Sequence, residues 1–149
     1  MASDTAATTG LMQRLGLSLP IIQAPMAGTS TPALAAVVSG AGALGSIAVG
    51  AVDATAAAAM IAETRERTDR AFNVNVFCHQ PLPMDPARAD GWRAALAPAF
   101  RSFGAKPAPT LRNIYRSFVE DDDMLRLLLQ ARPAVVIISA CRPRRRSPR

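Results

Sequence analysis

An α/β fold built from parallel βα units is what this 149-residue chain predicts, and three features predict it. Short apolar runs alternate with segments of helical character. Each run is apolar almost throughout, as in strands covered on both faces rather than strands with one face in water. Glycine, proline or capping residues stand at the joints between them. Half of the residues are hydrophobic, enough for one globular domain with a core of reasonable size.

The elements can be justified in order. Pro20 to Ala24 (PIIQA) reads as a buried strand that leads into a loop, Pro25-Met26-Ala27-Gly28. Thr29, Ser30 and Thr31 then precede Pro32, which suits an N-cap followed by proline in the first turn. The helix PALAAVVS follows and is expected to stop at Gly40. Leu44 to Val49 is the second strand. Asp53 can cap the helix ATAAAAMIAETRERT, where Glu63 and Arg67 stand at i,i+4. FNVNVF, Phe72 to Phe77, is the third strand.

A proline-rich connection, HQPLPMDP, leads to a helix expected from Ala87 to Phe103, with Trp92, Leu96 and Phe100 recurring on one face and Gly104 ending it. Leu111 to Phe118 is expected as a further helical piece. Asp121 to Arg132 is a helix with acids in its first turn, and Val135 to Ile138 is a fourth strand. A complete barrel of eight such units usually needs ~250 residues. On pattern alone, the chain is therefore either a small open-sheet domain or about half of a barrel.

Gly40, Gly42 and Gly45 have the spacing G-x-G-x-x-G of a dinucleotide fingerprint, but they follow a helix and precede a strand. The fingerprint needs the opposite order, so that a helix N-terminus meets the phosphate. A tight turn from helix to strand, with Gly42 and Gly45 permitting close packing, is the better reading. The stretch from Ala33 to Ala62 is nearly uncharged, yet it is rich in Ala and Gly and broken by Asp53, which argues against a membrane span.

The net charge of +6 is concentrated at one end. Arg142, Arg144, Arg145, Arg146 and Arg149 fall within the last eight residues, and +6 less these five leaves only +1 on the rest. No basic face with interleaved aromatics is evident, so nucleic acid is not an expected partner. Cys78, Cys141 and His79 lack the spacing of a metal site, and a reducing, cytoplasmic setting is expected. The opening MASDTAATTG is not a secretory signal, and residues 1–14 read as a disordered leader.

PIIQAPMAG, the following STPALAAVVSGAGALGSIAVG and the strand FNVNVF, in that order and spacing, resemble the nitronate monooxygenase family, formerly called 2-nitropropane dioxygenases. The likeness runs from Leu15 to Val136 and includes IYRSFVEDD. Flavin-dependent enoyl reductases and inosine monophosphate dehydrogenase share a looser form of the pattern. The resemblance implies the first half of a TIM (β/α)8 barrel, truncated in the fourth strand, that holds FMN at the carboxyl ends of its strands. It implies oxidation of alkyl nitronates with dioxygen to a carbonyl compound and nitrite.

On this resemblance Pro25, Met26 and Ala27 would approach the flavin ring, with Met26 packing against it. Asn75 matches the asparagine that similar enzymes use on the flavin, an amide being both donor and acceptor. Taken without the resemblance, Met26 reads as core filling and Asn75 as a satisfied polar residue near a strand end. The family's basic histidine lies in a segment like His-Phe-Gly-Leu-Pro at the end of the fourth strand. His79 does not align with it and reads as a loop residue. No catalytic residue is therefore assigned.

After Val136 the chain departs from that pattern and reads IISACRPRRRSPR. If Ile138 to Arg142 were encoded ATT-TCG-GCC-TGC-CGC with a C before it, reading one base earlier would give CAT-TTC-GGC-CTG-CCG, which is His-Phe-Gly-Leu-Pro. The chain is thus expected to comprise a leader over 1–14, the N-terminal half of an FMN barrel over 15–138, and a basic tail over 139–149 that looks out of frame. Such a fragment would lack the phosphate site that usually follows strands seven and eight, leaving it inactive alone. The alternatives are a non-catalytic fragment or interaction module, or another FMN barrel oxidoreductase such as an enoyl reductase. Sequencing the locus is expected to reveal an open alternative frame encoding the second half of a flavin barrel. Stop codons throughout that frame beyond Val136 would refute the frameshift.

Overall fold

A computed structural model describes residues 10–81, 83–111 and 114–139. Residues 1–9 and 140–149, and with them most of the expected leader and the arginine-rich tail, lie outside the described residues, while residues 10–15 are helical. The chain divides into two compact units. One joins the residues up to Gln80 with those from Tyr115 onward, and the other is Pro81–Ile114. Among the described residues no helix is long and apolar enough to cross a membrane.

In the first unit α1 (Pro32–Gly40), β1 (Gly45–Ala48), α2 (Ala54–Arg67) and β2 (Phe72–Phe77) alternate, followed by α4 (Asp122–Ala131) and β3 (Val135–Ser139). The intervening helix α3 (Pro86–Ser102) belongs to the second unit. The three strands form one parallel sheet in the order β1-β2-β3, as the alternation of apolar runs and helices predicts. Asn75 stands opposite Ala48 on one side and Ile137 on the other.

The run expected as the first strand contributes a single parallel bridge, Ile22 to Leu44. Leu44 N–H donates to the Ile21 carbonyl and Gln23 N–H donates to the Leu44 carbonyl, both at 2.9 Å. Pro20 and Pro25 bracket this run and have no N–H to give, which keeps the backbone pairing short.

The helix starts behave as their sequences require. Thr31 caps α1, its side chain accepting from Leu34 N–H at 3.2 Å with Pro32 in the first turn. Asp53 caps α2 through Ala56 N–H at 2.8 Å, and Asp121 caps α4 through Met124 N–H at 3.1 Å. Glu63 and Arg67 pair across one turn at 2.9 Å on the exposed side of α2. The end of α1 differs from expectation. The helix includes Gly40, Ala41 is its C-cap, and Gly42 takes the left-handed φ of +91°.

One face of the sheet and three helices make the core. Ile47, Val49, Phe72, Val74 and Val76 pack against Ala35 of α1, Ala57 and Ile61 of α2, and Met124 and Leu128 of α4. Small residues let the layers close: a Cβ added at Gly45 would lie 2.0 Å from the Ala35 carbonyl oxygen, so the backbones of α1 and β1 are nearly in contact. On β3 the same face is open. Val136 and Ile138 are 38% and 48% exposed, whereas their partners Val74 and Val76 are buried. The apolar face of β3 is thus only partly covered among the described residues.

Two expected features do not form. Leu111 to Phe118 is not a helix among its described residues, and only Phe118–Glu120 makes a 3-10 turn. Here the chain is tethered instead: Ser117 Oγ donates to the His79 carbonyl at 2.5 Å, and the Tyr115 ring meets Phe77 edge-on. In the second unit α3 spans the expected range, but its apolar stripe is not buried; Trp92 is 56% exposed, and Leu96 and Phe100 are also exposed. Among the described residues of that unit there is no other regular element to pack against the stripe.

The contact at Gly45 gives a clear expectation. Gly45→Ala should destabilise the chain by about 2–3 kcal/mol, since backbone must move to admit the methyl group. Gly40→Ala, where no atom lies within 4 Å of the added carbon, should raise stability by up to about 1 kcal/mol because the position is helical. Urea unfolding monitored by circular dichroism measures both, and equal midpoints for the two variants would contradict the packing described.

Candidate functional site

The side of the sheet away from the helices is polar because β2 alternates strictly. Phe72, Val74 and Val76 point to the core, which leaves Asn73, Asn75 and Phe77 on the other face. Asn73 is fully buried and bridges both neighbouring strands: its Nδ2 donates to Ser46 Oγ and its Oδ1 accepts from Ile137 N–H, each at 3.1 Å. Asn75, also buried, donates through Nδ2 to the Ile137 carbonyl at 3.1 Å and to Ser139 Oγ at 2.6 Å. The two asparagines thus hold both polar groups of the Ile137 backbone.

Gln23 extends this row past β1. Its Oε1 accepts from Ser46 N–H and its Nε2 donates to the Ser46 carbonyl, both at 3.1 Å. The carboxamide here does what the peptide of a neighbouring strand would do, and it continues the pairing that the Ile22 bridge begins. Buried groups of this kind need such partners, since each one left unpaired costs about 1–3 kcal/mol.

At the carboxyl end of the 20–24 segment lies the loop that holds Pro25, Met26 and Ala27. Pro25 is half-buried, while Met26 and Ala27 are exposed, Met26 by 47%. Met26 is therefore not core filling. Buried Ser30 closes the loop: its Oγ accepts from Met26 N–H at 2.8 Å and from Gln23 Nε2 at 2.9 Å, and donates to the Ala24 carbonyl at 3.0 Å. All the bonding capacity of the hydroxyl is used. Thr29 and Ser30 N–H both donate to the Met26 carbonyl, and Gly28 turns the chain at φ +76°. Among the described residues no acceptor meets Ala27 N–H or Gly28 N–H.

Past the end of β2, the Phe77 ring lies against Gly50, whose added Cβ would be 2.3 Å from Cδ2 of the ring, and meets Tyr115 with centroids 5.2 Å apart and planes at 83°. Arg116 pairs with the buried Asp121 carboxylate at 3.3 Å. His79 contributes its backbone carbonyl to Ser117.

The residues singled out from sequence therefore occupy two places. Pro25, Met26 and Ala27 share the loop, and Asn75 sits on the polar face; Gln23, Ser46, Asn73 and Ile137 connect them by hydrogen bonds. Gln23, Ser30, Ser46, Asn73 and Ser139 were not anticipated. Two signals pointed to Gln23 and Asn73, a glutamine inside the apolar run PIIQA and asparagines at period two in FNVNVF, which must share a face; the three serines carried none.

A sequence profile described as nitronate monooxygenase matches residues 9–147. The chain belongs to the nitronate monooxygenase family. It is 50% identical over 134 residues to a nitronate monooxygenase of Paraburkholderia phytofirmans, covering 90% of this chain and 37% of that protein. It is 56% identical over 122 residues to the Pseudomonas aeruginosa nitronate monooxygenase, covering 82% and 35%. The chain thus spans about a third of the length of these relatives.

Among solved structures, a nitroalkane oxidase from Streptomyces ansochromogenes superimposes with a TM-score of 0.72 at 32% identity, covering 87% of this chain and 35% of the other. FabK from Thermotoga maritima superimposes with a TM-score of 0.57 at 26% identity, covering 87% and 29%. The parallel α/β fold of this family member therefore corresponds to part of each larger structure.

Removing the Asn73 side chain strands partners on both neighbouring strands. Asn73→Ala should lower stability by about 2–4 kcal/mol, more than a single surface hydrogen bond is worth. Chemical denaturation measures this, and a loss below about 1 kcal/mol would show that the lateral row contributes little.

Proposed function

We propose that the polar face and the 25–28 loop are the N-terminal part of an FMN site, in a protein that oxidises alkyl nitronates with dioxygen to a carbonyl compound and nitrite. The observation that carries this reading is the loop itself. It follows the first parallel segment at its carboxyl end, where barrel sites are built, and it is firmly closed by Ser30, yet it leaves two backbone donors, Ala27 N–H and Gly28 N–H, without an acceptor in the chain.

The residues present suit a flavin. Those donors can meet ring acceptors, the exposed Met26 side chain offers polarisable surface to a flat ring, and Asn75, whose Nδ2 is taken by Ile137 and Ser139, leaves its Oδ1 as an acceptor on the polar face of the sheet. FMN, when bound, supplies the electron acceptor for nitronate oxidation. The contribution of this chain is to orient the ring and exclude water from one side. Membership of the nitronate monooxygenase family supports nitronate as the substrate class, and we assign the described parallel units to the N-terminal half of a barrel.

We further propose that the chain of 149 residues neither retains FMN nor turns over nitronate by itself. Phosphate binding in barrels usually comes from the loops after strands seven and eight, and such loops would lie in the part of the relatives that this chain does not match. The protein should purify colourless and consume no oxygen with propyl nitronate. Joining the remainder of the Pseudomonas aeruginosa relative after Val136 should yield a yellow protein, and Asn75→Ala in that fusion should lower its affinity for FMN by about tenfold, equivalent to the loss of one or two hydrogen bonds. A fusion in which Asn75→Ala leaves FMN affinity unchanged would remove Asn75 from the site.

A further inference from the structure

Ser30 sits beside the loop without belonging to the set of residues offered to the flavin, and its surroundings are unusual for a loop serine. It is 3% exposed and makes three hydrogen bonds of 2.8–3.0 Å, which exhaust a hydroxyl. One of its donors is the Gln23 carboxamide, itself fixed by two bonds to the backbone of Ser46 in β1. The Met26 peptide is thereby tied at both ends: its N–H to Ser30 Oγ and its carbonyl to the N–H groups of Thr29 and Ser30. Between these ties the chain runs through Ala27 and the positive-φ Gly28, whose N–H groups meet no acceptor among the described residues.

We infer that Ser30, held by Gln23, is a positioning residue that sets the Ala27 and Gly28 amides in their ligand-ready orientation before any ligand arrives. The assignment of a flavin to those amides rests on the function proposed above; the latch does not. An exposed loop with free donors would otherwise sample many conformations, and ordering it would be charged against binding. Here the ordering is done during folding, by a hydroxyl referenced through one glutamine to the first strand of the sheet. Substitutions at Ser30 should consequently act on the loop and not on the sheet.

Amide hydrogen exchange on the full chain, without flavin, tests this. Ser30→Ala should accelerate exchange at Met26 N–H by about tenfold or more, while Ile47 and Val74 in the sheet keep their protection. Ser30→Thr, which retains the hydroxyl, should restore Met26 protection to within about threefold of the parent. Unchanged exchange at Met26 in Ser30→Ala would overturn the latch, as would failure of Ser30→Thr to rescue it. Equal acceleration in the sheet would also overturn it, by showing that Ser30 supports the whole fold and not the loop. Because no cofactor is present in the measurement, failure here leaves the FMN reading intact, and loss of the FMN reading leaves the latch standing.

Discussion

The carboxamide of Gln23 paired with both backbone groups of Ser46 is the constraint from which the polar side of this molecule is spaced. A parallel strand normally transmits its position to the next through a ladder of peptide bonds. In the 20–24 segment prolines at both ends leave a single bridge, so a side chain completes the attachment. Through that one amide the backbone of β1 is coupled to the buried hydroxyl of Ser30, and through Ser30 to the peptide of Met26. The loop's geometry is thus inherited from the sheet, although loop and sheet share few backbone bonds.

The other half of the row has the same logic on β2 and β3. Asn73 and Asn75 are two residues apart and so face the same way, and both address Ile137, one by its N–H and the other by its carbonyl. Buried asparagine is costly unless satisfied, and here the satisfaction comes sideways from adjacent strands. A lateral row resists sliding of β3 against β2, because a shift of β3 by one residue would turn Ser139 away from Asn75 and bring Val136 and Ile138 to the asparagine face. Close packing on the opposite face reinforces the register. Gly45 lets α1 settle on β1, and no larger residue fits beside the Ala35 carbonyl.

Much of this architecture is legible in the sequence, and the limits of legibility have physical causes. Local signals read well: Thr31 with Pro32, Asp53, and the acids from Asp121 onward mark helix starts because a cap is a contact over three residues. The strand FNVNVF declares its two faces by period alone. PIIQA carries an apolar signal suited to a strand but pairs through one bridge, since proline's missing N–H acts on pairing and not on hydrophobicity. Leu111 to Phe118 has apolar residues at helical intervals, yet the Ser117 bond to His79 holds it otherwise, a contact between residues far apart in the chain. The α3 stripe is visible in the sequence, whereas whether it is covered depends on what packs there. Ser30 was not legible, because its importance lies in three bonds that only the folded loop brings together.

The two faces of β3 meet different fates, and the difference follows from the range of the forces involved. Its polar face is complete within the described residues, because hydrogen bonds saturate one partner at a time and Asn73 and Asn75 suffice for the Ile137 backbone. Its apolar face is not, because hydrophobic burial accumulates with area and needs a whole element laid across it. Val136 and Ile138, at 38% and 48% exposure, each forgo roughly 1 kcal/mol of the stabilisation that full burial would bring. The geometry of the polar face is therefore set by local, saturable bonds, while stability of the strand that carries Ile137 and Ser139 is left sensitive to whatever covers its back. Packing behind β3 should accordingly tighten the polar row without altering its partners.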